Sequence, residues 1–277
     1  MPLVEGVSFL RRFALVFFSS LLPTAALAAC GGKPSTVKNP EKASEAEYDL
    51  SREFFYKGQP RLALEHCKRA IDFNDENRRA LYFASTIHLF FCSGKLGLAD
   101  TDCRLPEAEK YVRRALEVDP SFREAKNTLG QILILEKKYP EAMTVLEPLT
   151  KDPSFESSYL AWGNYGWAQV LAGRLDDGIE SLKNAITEPR FCVGHYRLGV
   201  AYEKKGELDA ADASLTTAVT VDAPDCKNLQ DAWAERAAVR ARLGKTADAR
   251  ADYEKCRDIS AETLTGKACV DALARLP

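Results

Sequence analysis

From Ser44 onward, apolar residues recur three and four positions apart in short runs, and a turn signal breaks each run before the next begins. The stretch His195–Val219 shows the unit most clearly. Leu198, Gly199 and Tyr202 share one helical face, Gly206 interrupts, and Leu208, Ala211, Leu215 and Ala218 share the next face. Small residues at Gly199, Ala211 and Ala218 mark where two helices come close, and larger apolar residues fill the space between them.

Six copies of this helix-turn-helix pattern follow one another. The first carries Leu50, Ser51, Phe54, Gly58, Ala63, Cys67 and Ala70. The second begins at Leu81, Ala84, Ser85 and His88, breaks off, and resumes at Leu105, Ala108, Val112 and Ala115. The third has Leu129, Gly130, Leu133, Tyr139, Ala142, Leu146 and Leu149, and the fourth Trp162, Tyr165, Gly166, Gly173, Leu175, Leu182 and Ala185. The fifth is the stretch already described, and the sixth shows Trp233, Ala237, Gly244, Ala249, Tyr253 and Cys256. Pro120, Pro153, Pro189 and Pro224 fall between copies, where a helix cannot continue. This order of residue types resembles the tetratricopeptide repeat, a helix-turn-helix of about 34 residues. The resemblance implies an all-α fold over residues 44–277, a right-handed α-solenoid of six repeats. Residues Ala261–Leu276 supply a last amphipathic helix to cap its apolar end.

The first 29 residues follow another logic. Arg11 and Arg12 precede an apolar run from Phe13 to Ala29 that ends in Leu27-Ala28-Ala29-Cys30, the make-up of a cleaved secretory signal. Its end resembles the lipobox of bacterial lipoproteins, which implies diacylation of Cys30 and cleavage before it. Gly31 and Gly32 follow without an aspartate, which by analogy with enterobacterial sorting implies a periplasm-facing outer-membrane protein. Residues 30–43, with Gly, Pro, Ser and Lys, read as a flexible tether. No other segment reaches the ~18 apolar residues that spanning requires.

Charge narrows the partners. The formal net charge is −2, and removing residues 1–29 withdraws Arg11, Arg12 and Glu5, a further loss of positive charge. Nothing here supplies the basic stripe that nucleic acid needs. Export permits disulfides, and the chain has no Cys-x-x-Cys pair for zinc or thioredoxin-type chemistry. The second copy carries an insertion of roughly eleven residues, and one of about four precedes the sixth. Cys92 and Cys103 bracket the first, and Cys192 and Cys226 flank the copy leading to the second. Cys256 and Cys269 could tie the last repeat to the capping helix, although connectivity does not follow from sequence alone. Cys67 stands at a core position and reads as a buried free thiol.

The search for reaction chemistry comes back nearly empty. Glu65-His66-Cys67 is adjacent in sequence, but neighbours on a helix point about 100° apart, so they form no nucleophile–base pair. His88 and His195 fit packing or surface positions. No phosphate-cradling glycine loop, Gly-x-Ser-x-Gly or His-Glu-x-x-His occurs. The expectation is a protein that is not an enzyme and takes no metal, cofactor or small-molecule substrate.

Binding is the better prospect, because stacked helix pairs curve into a concave surface. Tetratricopeptide repeats line it with the second, fifth, ninth, twelfth and thirteenth residues of each first helix. The resemblance therefore puts Tyr48, Arg52, Phe55 and Tyr56 on the groove in the first repeat, and Tyr82, Thr86, Leu89 and Phe90 in the second. The third gives Asn127, Gln131, Ile134 and Leu135, and the fourth and fifth Trp167, Val170, Tyr196 and Val200. Asp231, Ala234, Ala238 and Arg242 of the sixth are smaller and less aromatic. An apolar stripe of this kind suits an amphipathic helix or an extended hydrophobic peptide. A lipobox followed by six such repeats resembles the pilotin lipoproteins of type IV pilus systems, which implies a secretin as protein partner. Scaffolds for β-barrel assembly or for peptidoglycan enzymes share the same elements and stay open.

Overall fold

The computed structural model describes residues 39–92 and 102–276, among which every regular element is helical. The expected signal segment, the expected lipobox with Cys30 and most of the expected tether lie outside the described residues. Twelve helices form six sequential pairs: α1 (Pro40–Tyr56) with α2 (Pro60–Phe73), α3 (Arg78–Phe91) with α4 (Leu105–Val118), and α5 (Arg123–Leu135) with α6 (Tyr139–Thr150). Then come α7 (Ser158–Leu171) with α8 (Leu175–Ala185), α9 (Cys192–Lys205) with α10 (Leu208–Thr220), and α11 (Gln230–Arg242) with α12 (Thr246–Ile259). The last helix, α13 (Leu264–Arg275), packs on both α11 and α12, the place a seventh first helix would take. Second helices α4, α6, α8 and α10 stop at Val118, Thr150, Ala185 and Thr220, each shortly before its proline.

The C-terminal part of the expected tether is helical. Helix α1 starts at Pro40, so residues 40–43 are helical. Asn39 accepts a hydrogen bond from the Lys42 N–H at 2.9 Å, and a proline in the first turn needs no intrahelical donor. These two local signals outweigh the polar composition.

Within a pair, the chain reverses through one repeated device. At the end of α1 the Gln59 N–H reaches the Phe54 carbonyl across a residue with positive φ, Gly58 at +74°. Gly173, Gly206 and Gly244 do the same with φ of +84°, +84° and +76°, the left-handed cap that glycine adopts without a Cβ clash. The third pair places Lys137 there instead, at φ +62°.

Small residues set the spacing inside each pair. A Cβ on Gly130 would lie 2.5 Å from the Leu146 side chain, and one on Gly199 would lie 2.5 Å from Leu215. In the first two pairs serine takes this position and adds a bond. The Ser51 hydroxyl donates to the Ala63 carbonyl at 2.7 Å, and Ser85 to that of Ala108 at 2.8 Å. Around these contacts Leu81, Ile87, Ile132, Leu133, Leu146, Leu182 and Leu215 lose essentially all contact with water. Full burial of such a side chain contributes about 1.5–3 kcal/mol.

Among the described residues the cysteines close three bridges, Cys92–Cys103, Cys192–Cys226 and Cys256–Cys269, leaving Cys67 buried and free. The short insertion before α11 folds as a 3-10 turn over Pro224–Cys226 and is held against the start of α9 by its cysteine. Among the described residues, no helix is long and apolar enough to cross a membrane.

Candidate partner-binding face

First helices of successive pairs also touch one another: α3 with α5, α5 with α7, α7 with α9, α9 with α11, and α11 with α13. They share one face of the stack, which is where the expected groove residues project. At its N-terminal end this face is aromatic. Tyr48 and Phe55 lie two turns apart on α1, and Phe83 and Phe90 two turns apart on α3. Phe55 meets Phe83 and Phe90 edge to face with centroids 5.4 and 5.1 Å apart, and Tyr48 meets Phe83 at 6.0 Å. Arg79 and Arg52 sit over the Tyr48 ring at 5.1 and 5.8 Å, where the ring face attracts cations. Tyr56 continues the patch from Phe55 and is 78% exposed.

The aromatic side chains are thus less free than their positions in the repeat imply. Phe55 and Phe90 are partly buried between α1 and α3 and pack on the core around Leu81 and Ile87. Tyr82 turns toward the start of α5, its ring 4.9 Å from that of Phe122, and Leu89 packs on the core of the third pair. Four groove expectations need correction. Val170 and Val200 are only 2% and 7% exposed and belong to the core. Ile134 is only 6% exposed and belongs to the core, whereas its neighbour Leu135 is 50% exposed. Asn127 is 5% exposed and bonds within the protein instead of presenting itself freely. Gln131 and Trp167 are half-buried, and Arg52 is exposed. Phe83 was not among the expected residues, although its seven-residue spacing from Phe90 matches that of Tyr48 from Phe55.

Further along the face, polar groups replace aromatics. The Asn164 Nδ2 donates to Asn127 Oδ1 at 3.0 Å, joining α7 to α5. The Arg197 Nη1 on α9 donates to Asn164 Oδ1 at 2.8 Å and to the Gly163 carbonyl at 3.0 Å. Its guanidinium lies 5.8 Å from the Trp167 ring centre. Burial lowers the Arg197 pKa to about 10, and no carboxylate among the described residues offsets the lost hydration. Neither Asn164 nor Arg197 belongs to the expected groove set. Their only sequence signal is that they stand at equivalent places in consecutive repeats.

Candidate reaction groups lead nowhere similar. The Cys67 thiol lies 3.1 Å from the Ser51 hydroxyl, and burial pushes it up to about 12, so it stays protonated and inert. His66 lies beside it in sequence but turns away, its Nδ1 2.6 Å from Glu47 and its ring stacked on Phe54. His88 is 4% exposed and stacks on Tyr111 at 5.8 Å, at the edge of a cavity of about 550 Å³ beside the Cys92–Cys103 bridge. Its ring nitrogens have no partner among the described residues, and burial, with Lys68 and Arg104 nearby, lowers its pKa. No group of three or more His, Cys, Asp or Glu among the described residues could hold a metal ion.

Comparison with known proteins places the architecture. The tetratricopeptide repeat family matches residues 104–154 and 194–225, and no curated protein matches the sequence. Among solved structures, PilW, described as a widely conserved type IV pilus biogenesis factor, is similar with a TM-score of 0.65 at 17% identity, covering 82% of this chain and 98% of its own. PilF of Pseudomonas aeruginosa is similar at 0.60 and 13% identity, covering 85% and 100%. A monomeric mutant of IFIT1 with Gppp-AAAA reaches 0.66 at 15% identity, covering 81% of this chain and 52% of that one. A likeness shared by a pilus biogenesis factor and a protein solved with Gppp-AAAA establishes architecture and leaves the partner to the side chains. The fold is an α-solenoid of tetratricopeptide type.

Proposed function

We propose that this protein is a lipid-anchored pilotin. It holds an apolar segment of a secretin subunit on the face of α1 and α3 while the ring for type IV pili assembles at the outer membrane. The observation that carries the reading is the aromatic surface of Tyr48, Phe55, Phe83 and Phe90, which runs out to an exposed Tyr56. An exposed aromatic rim on a packed aromatic base suits an apolar helix or strand. Acyl chains on Cys30 would tether the scaffold, and likeness to two type IV pilus proteins supports the choice of partner. No reaction chemistry enters this role.

Affinity co-purification of the lipidated protein from gently solubilised outer membranes tests it. Because Phe55 and Phe90 also pack in the core, Tyr56→Glu is the cleaner probe. Recovery of a secretin with the wild-type protein and its loss with Tyr56→Glu are expected. Recovery of barrel-assembly or cell-wall proteins instead would overturn the secretin reading.

A further inference from the structure

A cavity of about 550 Å³ lies between α2 and the start of α4, with His88 and Phe91 of α3 in its wall. Both ends of the long insertion border it. Cys92 stands one turn beyond His88, and its bridge to Cys103 fixes Asp102 and Arg104 beside the cavity. Arg61 of α2 closes one edge, donating to Asp102 through Nε at 2.9 Å and Nη2 at 2.6 Å.

Inside that frame the polar groups go unmatched. His88 is 4% exposed, and neither ring nitrogen has a hydrogen-bond partner among the described residues. Burial holds its pKa down, helped by Lys68 and Arg104, so the neutral ring offers one donor and one acceptor. Buried polar groups normally find partners, and one without any is costly. Around it stand Glu65 and Lys68 from α2 and Arg104 and Glu107 from the start of α4. None of these four side chains forms a hydrogen bond or ion pair among the described residues, although their neighbours Arg61, Arg69 and Arg113 all do. Two acids and two cations thus line one cavity without satisfying each other. On each helix the two signs stand three residues apart, within one turn of about 5.4 Å.

We propose that this cavity binds a free amino acid with an apolar side chain. Lys68, Arg104 and the ring N–H of His88 take its carboxylate, Glu65 and Glu107 its ammonium group, and Leu64 and Phe91 its side chain. A ligand of one sign would leave two like charges facing it, whereas a zwitterion answers both. The close alternation of signs suits charges carried on a single carbon better than the separated ends of a peptide. Charge-assisted hydrogen bonds at both groups fix its orientation, and the volume falls within the roughly 300–1,000 Å³ of small-molecule sites. His88 stands about 200° round α3 from Phe90 at about 100° per residue, so the site goes beyond the secretin reading and stands without it.

Calorimetry of the full chain with L-leucine, N-acetyl-L-leucine and L-leucinamide tests the site, with the His88 ring resonances of the wild-type protein as a second readout. Leucine is expected to move those resonances and to bind about tenfold tighter or more than either blocked form. Lys68→Gln should shrink its advantage over leucinamide alone, and Glu107→Gln its advantage over N-acetyl-leucine alone. Lys68 is exposed, so its replacement leaves the packing intact, and the wild-type resonances keep the test valid if the other variant folds poorly. Equal affinity for leucine and both blocked forms would overturn the proposal. So would tighter binding of either blocked form, which reads a site for one charge, or no binding of leucine, methionine or phenylalanine at millimolar concentration. The Tyr56→Glu co-purification reads the aromatic patch separately.

Discussion

Arg236 on α11 and Asp252 on α12 face each other through two parallel hydrogen bonds, Nε to Oδ2 at 2.9 Å and Nη2 to Oδ1 at 2.6 Å, with both side chains almost wholly out of water. Arg240 shares the same carboxylate at 2.9 Å and reaches Asp212 at 2.8 Å. Breaking a buried pair from one side strands the other charge, at a cost of about 3–5 kcal/mol. Asp252→Ala should lower stability by that order in urea unfolding. The double change Asp252→Leu with Arg236→Met should recover much of the loss. If the single variant unfolds like the wild type, the network is not desolvated as described.

Lys137 holds a left-handed backbone where four other repeats use glycine. A side chain there is strained, while glycine adds entropy to the unfolded chain, so the two effects oppose each other. Lys137→Gly should leave a net gain of about 0.5–1 kcal/mol, visible as a small rise in Tm. A fall in Tm would mean that the Lys137 side chain contributes more than its contacts suggest.

Glu109 on α4 carries an acid-sensitive share of stability. Burial alone would raise its pKa, but hydrogen bonds from Lys138 and Arg113 outweigh that and hold it at about 2. Its unfolded value is about 4.3, so the folded state binds the proton less readily. The stabilisation is complete above the unfolded value and is lost as pH falls from about 5 toward 2. Solvent around Arg113 and Lys138 screens the pair, which leaves on the order of 1 kcal/mol. Glu109→Gln should flatten the fall in stability across this range, and an unchanged slope would show that the bonds exist only transiently.

The periodicity of residues 44–276 was enough to foresee six helix pairs and a capping helix, because burial inside each pair is local and repeats. Which side chain faces the groove was harder to read. Ile134 and Leu135 differ by one residue, about 100° of helix rotation, and only packing against the neighbouring pair decides which is buried. Phe83 and Arg197 escaped notice for a related reason: their partners lie on other repeats, at distances along the chain that no local pattern encodes. Asn127 was placed on the correct helix, but its role depends on Asn164, which sequence alone gave no reason to single out.

Helix α13 should depend on its bridge. Cys256–Cys269 closes a short loop that ties it to α12, and such a loop contributes about 2–3 kcal/mol. Its outer side chain Leu264 is 84% exposed and adds no packing. Reduction, or Cys269→Ser, should raise amide hydrogen exchange across Leu264–Arg275 while leaving the central pairs protected. Unchanged exchange would show that Gln230, which donates to the Cys256 and Ser260 carbonyls at 2.7 and 2.6 Å, holds this end by itself.

The anchor gives the last prediction. Leu27-Ala28-Ala29-Cys30 offers one thiol for acylation, and each buried methylene contributes about 0.8 kcal/mol. The chain is net negative, so anionic lipids would repel the folded part instead of retaining it. Membrane residence on this reading rests on Cys30 alone. Cys30→Ala should move the protein from the membrane fraction to the soluble one, without changing the helical signal or melting of the purified repeat domain. Persistence in membranes after a high-salt wash would point to another attachment and sink the lipoprotein reading, while the scaffold and its partner face would stand.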